Sequence, residues 1–327
     1  MRCRTYGFVV SGYATNQALR PVPCDDALWH TPARDYQKEI PMGRIRLGLD
    51  LMKQSFAILK SDKQLMLLPF ASVISCVLAS GLVLGVGGLS AFLVVFHTNW
   101  ESSSWLNSVL IWGAILVFYV VNYVVIVFFN VALISAVSER LAGRPATLRG
   151  GVARAWERKN KVVQWAFLAA TVGVILRMLE SRLGVIGRLI TKVLGAAWAL
   201  ASYFVAPVLA FEDLGPVDAL KRSARMFRET WGEELVSQFS MGFIFVLLGL
   251  AGFGMWFAVA IAGGKAEVYA ATALLLLYFV ALGVTNASVQ GIFCAALYRF
   301  ANTKAVPPGF VPENFSMAWG PKKKKFW

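Results

Sequence analysis

The sequence predicts an all-α fold: a polytopic membrane helix bundle with six transmembrane helices and three interfacial amphipathic helices. Three observations carry that expectation. Apolar residues make up 57% of the chain and charged residues only 15%, whereas a soluble domain averages about a quarter charged. Several apolar runs exceed the ~20 residues needed to cross a ~30 Å hydrocarbon core. Lys and Arg concentrate in alternate loops, as in membrane proteins that keep basic residues on the cytoplasmic side. The net charge of +14 is therefore positive-inside bias, and no nucleic-acid partner is expected.

Residues 1–41 mix Arg, Pro, Asp and isolated apolar residues without periodicity, which reads as a disordered extension. The Tyr6–Ala14 run after Arg2 and Arg4 resembles a signal peptide, but Ser11 and Gly12 interrupt a short apolar core. Met42 is the expected natural start. The membrane domain then covers 42–300, and a tail over 301–327 ends in four lysines.

Within that domain a helix at 44–60 puts Ile45, Leu49, Met52, Phe56 and Leu59 on one face. Span one, about 65–96, is longer than a straight crossing needs, and Gly81, Gly85, Gly87 and Gly88 are its natural bend or close-contact points. The following loop carries Trp100 and Trp105 without Lys or Arg and belongs outside. Span two, about 108–137, leads into a loop with seven basic residues. Spans three and four, about 162–179 and 193–211, are shorter, and Arg177, Arg182, Arg188 and Lys192 between them conflict with an outside position. Span five covers about 235–262, a GGKAEVY turn follows, and span six covers about 270–297. Lys and Arg number 22 on one side and 5 on the other, so both termini are expected in the cytoplasm of a cell (inner or plasma) membrane.

The stretch 205–232 holds the clearest interfacial helix. Val217, Leu220, Ala224, Phe227 and Trp231 recur at helical spacing, opposite Arg222, Arg225 and Arg228. Pro216 suits its first turn and Gly232 its end. The lipid bilayer is the expected partner, with anionic lipid at the cytoplasmic face and unknown protein partners. Laid together, Pro145 and Pro216 precede Ala153-Arg154 and Ala224-Arg225 at equal distance, with Trp156 matching Phe227. With the 44–60 helix, this suggests three units of one interfacial helix plus two spans.

Little in the chain supports chemistry. The two histidines, His30 and His97, are far apart in sequence, and the four cysteines have no metal spacing. No metal and no cofactor are expected. Glu212-Asp213 reads as a helix cap with surface charge rather than a catalytic pair. The better lead is the set of intramembrane polar residues, which are costly in lipid: Asn122 and Asn130 in span two, Asn286 and Gln290 in span six, and Arg177. They either glue helices together or line a polar path, and Gly283, Ala287 and Gly291 form a close-packing stripe beside the last pair.

The segments 43–69, 198–232 and 296–310, with the series Pro207, Glu212, Pro216, Ser223, Trp231 and Gly232, resemble a family of prokaryotic six-span membrane proteins known only as a domain of unknown function. More distantly the chain is similar to the membrane domain found beside some glycerophosphodiester phosphodiesterases. The resemblance covers about 42–320 and implies no catalytic residue. The expectation is a non-enzymatic membrane protein that scaffolds or organises lipid or partner proteins. The alternative is a small-solute or lipid transporter working through the intramembrane polar residues, and an intramembrane enzyme is the least supported.

Overall fold

The computed structural model describes residues 41–97, 104–182, 184–231 and 236–311. The expected disordered extension, the loop with Trp100, Gly232 and the polybasic tail lie outside the described residues, as do the side chains of Trp105 and Trp231. The described chain is helical throughout its regular elements. Helix α1 (Pro41–Ser61) passes through one 3-10 turn (Lys63–Met66) into α2 (Leu67–His97). Then follow α3 (Ser104–Leu141), the short α4 (Leu148–Glu157), α5 (Lys159–Arg182) and α6 (Val185–Ala201). The last four are α7 (Val205–Phe211), α8 (Pro216–Trp231), α9 (Val236–Ala262) and α10 (Lys265–Thr303). Six stretches among the described residues are long and apolar enough to cross a membrane. This is a multi-pass, all-α membrane protein.

Several boundaries differ from expectation for identifiable reasons. Helix α3 has 38 residues and α10 has 39, so each is ~57 Å long, nearly twice the hydrocarbon thickness. Polar residues at 138–140 mark an exit from lipid, not a helix end. The GGKAEVY turn shrinks to its glycines, because the Glu267 carboxylate accepts from the Gly264 N–H at 2.9 Å and starts α10 at Lys265. Span one does not break at its glycines. Helix α2 is continuous, and a Cβ at Gly81, Gly85 or Gly87 would meet nothing within 4 Å. Span four is the one that divides, into α6 and α7.

Burial is confined to one end of the bundle. The buried core takes the last part of α3 from Val127, the first part of α5 up to Ala170, all of α7 but Ala206 and Phe211, and α10 from Val284. Leu51, Leu59, Ala155, Ala219 and Met226 add one side of each of α1, α4 and α8. Among the described buried residues Gly187 and Thr191 on α6 are the exceptions. Toward the other end the helices keep their apolar side chains exposed, and no residue in the apolar window of α9 is buried. The packed end is also the end that carries the basic loops.

Packing follows a cyclic plan. Helix α4 packs on α3, α8 packs on α5, α6 and α7, and α1 packs on α9 and α10. Each short helix thus docks on spans that precede it, and α1 closes the arrangement on the last pair. Helices α3, α7 and α10, the second span of each unit, meet in the middle. Gly291 makes part of this possible, since a Cβ there would lie 2.4 Å from a Leu133 methyl. Gly283, expected in the same stripe, faces open space.

The structure also shifts the repeat by three residues. The Thr147 carbonyl accepts the first backbone bond of α4 from Gly151, and the Gly215 carbonyl accepts the first bond of α8 from Ala219. Buried Gly151 and Ala155 therefore correspond to buried Ala219 and Ser223, not to the residues a match of Pro145 with Pro216 selects. Both helices contact the chain nineteen residues back: Gly151 against the Ala132 carbonyl, and Ser223 against the Phe204 N–H.

The face of α8 differs from the expected one for the same reason. Its buried side is Ala219, Ser223, Met226 and Phe227. Leu220 and Ala224 are half-buried and Val217 is 50% exposed. The helix is docked against protein, where close approach favours Ala and Ser. Arg225 and Arg228 point away from that contact and are exposed, whereas Arg222 is half-buried.

Candidate functional site

The division of span four is built by three elements together. Pro207 has no N–H for the Tyr203 carbonyl four residues earlier, and the Cys294 thiol of α10 approaches that carbonyl at 3.7 Å. The Phe204 N–H, freed at the same break, donates to Ser223 Oγ of α8 at 2.9 Å. Both Phe204 and Ser223 are fully buried. The break lies at Ser202–Phe204, because the groups that compensate it come from α8 and α10.

Just beyond, Glu212-Asp213 joins four elements. Glu212 accepts from the Arg222 Nε at 3.2 Å and from the Tyr298 hydroxyl at 3.1 Å, and Arg222 also donates to Asn302 at 3.1 Å. The Tyr298 ring stacks on Phe211 at 5.8 Å. Asp213 pairs with Arg158 at the end of α4 and Lys161 in α5. Hydrogen bonds from Lys161 and then Arg158, with their charges, hold the Asp213 carboxyl below the usual aspartate range. Neither acid caps α8; Gly215 holds that position. These contacts clamp the end of α7 to α4, α5, α8 and α10.

The intramembrane polar residues make separate local contacts. Asn122 accepts from Ser80 of α2 at 3.0 Å and donates to the Phe118 carbonyl at 2.9 Å. Gln290 donates to Asn286 at 3.0 Å within α10. Asn130 is exposed. None of these four lines the α3–α5–α6 cavity or the α1–α9–α10 cavity described next.

Arg177, the remaining candidate, does line one. A cavity of about 430 Å³ opens between α3, α5 and α6 in the loosely packed end. Its deeper wall has Tyr123, Ala169 and Trp198, and Trp198 stacks on Trp165 with ring centres 5.8 Å apart. Its mouth has Arg177, Glu180 and Lys192. Sequence reading named Arg177 and Lys192 as misplaced charges but missed Glu180, one helical turn from Arg177 and so beside it. A second cavity of about 460 Å³, between α1, α9 and α10, is almost wholly apolar, with Lys53 and Thr285 at its wall. Gly252 leaves room there for the Tyr278 ring, whose hydroxyl donates to the Leu248 carbonyl at 2.7 Å.

A family model described as a family of unknown function, DUF6159, matches residues 109–307. The chain belongs to DUF6159. The matched region runs from the first part of α3 to just past α10. It contains the span-four break, the Glu212-Asp213 clamp and the Arg177 cavity, and leaves α1 and α2 outside. DUF6159 membership agrees with the resemblance to an uncharacterised family and adds no tie to the phosphodiesterase-associated membrane domain. No curated protein matches the chain.

Proposed function

We propose that this DUF6159 protein is a non-enzymatic platform in the cell membrane, organising lipid or partner proteins at its cytoplasmic face. The observation that carries the reading is the outward side of the packed end. Arg149, Arg154, Arg225 and Arg228 are exposed there, on helices whose opposite sides are buried. Exposed apolar groups lie among them: Trp156 at 61%, with the Lys159 ammonium 4.6 Å from its ring centre, Val217 at 50% and Phe56 at 48%. Basic residues interleaved with exposed aromatic and aliphatic groups suit an anionic headgroup layer. Each basic residue near such a surface contributes about 1 kcal/mol. With α1, α4 and α8 interfacial, both termini lie in the cytoplasm.

Lipid analysis of particles cut from the membrane with native nanodiscs tests this. Wild type should carry more anionic lipid than the bulk membrane, and Arg149→Gln, Arg154→Gln, Arg225→Gln and Arg228→Gln together should remove the excess. A wild-type composition equal to bulk, with no co-purifying protein, overturns the proposal.

The charged cavity favours a second reading, a small-solute or lipid permease. Its earlier candidates fit it poorly, since Asn122, Asn286 and Gln290 are engaged in helix contacts or with each other. Replacing Asn122, Asn130, Asn286 and Gln290 with Leu should lower thermal stability in detergent and leave any deletion phenotype complemented. A folded but non-complementing variant would favour the permease.

A further inference from the structure

The mouth of the α3–α5–α6 cavity holds three charges that nothing in the described protein neutralises. Arg177, Glu180 and Lys192 all line it, and none has an ion-pair partner among the described residues. Arg177 sits five residues before the end of α5 and Lys192 seven after the start of α6. Both are therefore ~7–10 Å along the axis from their helix ends, within or just above the hydrocarbon, where an unpaired charge is expensive. Tyr119 and Tyr123 also line the cavity, and neither hydroxyl has a hydrogen bond to a described residue. Behind this polar mouth the wall turns apolar, with Trp112, Ile115, Val174 and Trp198. From Arg177 to Ala169 the cavity extends ~12 Å along α5. Its volume falls in the range of small-ligand sites.

Two cations, one anion and an apolar floor define an occupant. We propose that this cavity binds one zwitterionic phospholipid bearing a primary ammonium. Its phosphate lies between Arg177 and Lys192, its ammonium on Glu180, and an acyl chain on the apolar floor. A free phosphoethanolamine group offers the same headgroup chemistry, but leaves the floor unfilled. The inference deepens the lipid-organising reading and rests on it for its biological meaning. Its site is at the opposite end of the helices from the basic residues of α4 and α8, so the two can fail separately.

Native mass spectrometry of the delipidated, full-length protein in detergent tests it. Phosphatidylethanolamine and phosphatidylglycerol with identical acyl chains are offered together. One bound phosphatidylethanolamine should be retained about tenfold over phosphatidylglycerol, the ratio that one charge-assisted contact typically supplies. Glu180→Gln should bring that ratio to about one. Arg177→Gln and Lys192→Gln should each lower retention of both lipids about tenfold, and Arg225→Gln at the other end should leave occupancy unchanged. Thermal unfolding of the lipid-free variants should match wild type, because all three side chains are exposed. Equal retention of the two lipids, or retention indifferent to Arg177 and Lys192, overturns the proposal and leaves a hydrated space into which the charges extend. Displacement by glycerophosphoethanolamine at equal concentration overturns the acyl-chain assignment.

Discussion

Two fully buried serines distinguish hydrogen bonding from mere burial. Ser223 Oγ accepts from the Phe204 N–H, whereas Ser55 Oγ on α1 has no hydrogen-bond partner among the described residues. Removing the hydroxyl at 223 strands a buried donor and should cost about 1–3 kcal/mol, whereas at 55 no bond is lost. Ser223→Ala should therefore lower the unfolding temperature in detergent, and Ser55→Ala should leave it unchanged or raise it. Equal losses would mean that packing, not the Phe204 bond, holds the break. Asp213 supplies the pH dependence. Its carboxyl titrates below the ordinary aspartate value of 3.8, so its contribution is complete above that value and is lost as pH falls through the lower folded one. Wild type should exceed Asp213→Asn in stability at pH 7, and the gap should close only in acid below about pH 4, as melting curves of both proteins across pH can show. A gap unchanged in acid would exclude the Arg158 and Lys161 pairs as its source. Because the Asp213 side chain is 80% exposed, high salt should narrow the gap too.

At the level of the element, helix contacts rank the glycines. At Gly151 a Cβ would lie 2.5 Å from the Ala132 carbonyl oxygen, a backbone atom that cannot step aside. At Gly291 it would meet the end of the Leu133 side chain, which can turn. At Gly81 it would meet nothing. Gly151→Ala should therefore separate α4 from α3 at ~1–3 kcal/mol, Gly291→Ala should cost less, and Gly81→Ala should be neutral or mildly stabilising. Unfolding in detergent gives the order directly, and a neutral Gly151→Ala would contradict the close docking of α4. The same contacts explain what was legible in the sequence. The bounds of α8 could be read because Pro216 and its charge periodicity are local signals. Its buried face could not, because protein–protein docking selects Ala219 and Ser223, which look indifferent beside Val217 and Trp231. The α6–α7 break was half legible: Pro207 announced a missing donor, but Ser223 and Cys294, which compensate the break, are distant in sequence. Of the cavity charges, Arg177 and Lys192 were visible as discordant basic residues around spans three and four, and Glu180 was not. Their common mouth depends on how α3, α5 and α6 assemble.

For the whole molecule, the one-ended core and the charge distribution make a joint statement about orientation. The packed end includes the loops and helices that hold most of the 22 Lys and Arg on their side of the membrane, against 5 on the other. Four of those five are Arg177, Arg182, Arg188 and Lys192, around the α5–α6 turn. Length favours a full crossing there, since α5 alone has 24 residues, or ~36 Å, more than the ~30 Å core. We propose on these grounds that the packed end is cytoplasmic and that the turns after α5 and α9 are outside. Single cysteines read with an impermeant thiol reagent decide the matter, in a background without Cys3, Cys24 and Cys76. Cys294 becomes Ser, so that a hydroxyl keeps a donor toward the Tyr203 carbonyl. Arg154→Cys and Arg225→Cys, both on exposed positions, should label only from the cytoplasm. Gly184→Cys and Lys265→Cys should label only from outside. Labelling of Gly184→Cys from the cytoplasm alone would make α5 and α6 a re-entrant hairpin and would bring the lipid cavity onto the basic side. Labelling of Arg154→Cys and Lys265→Cys from the same side would end the six-span arrangement.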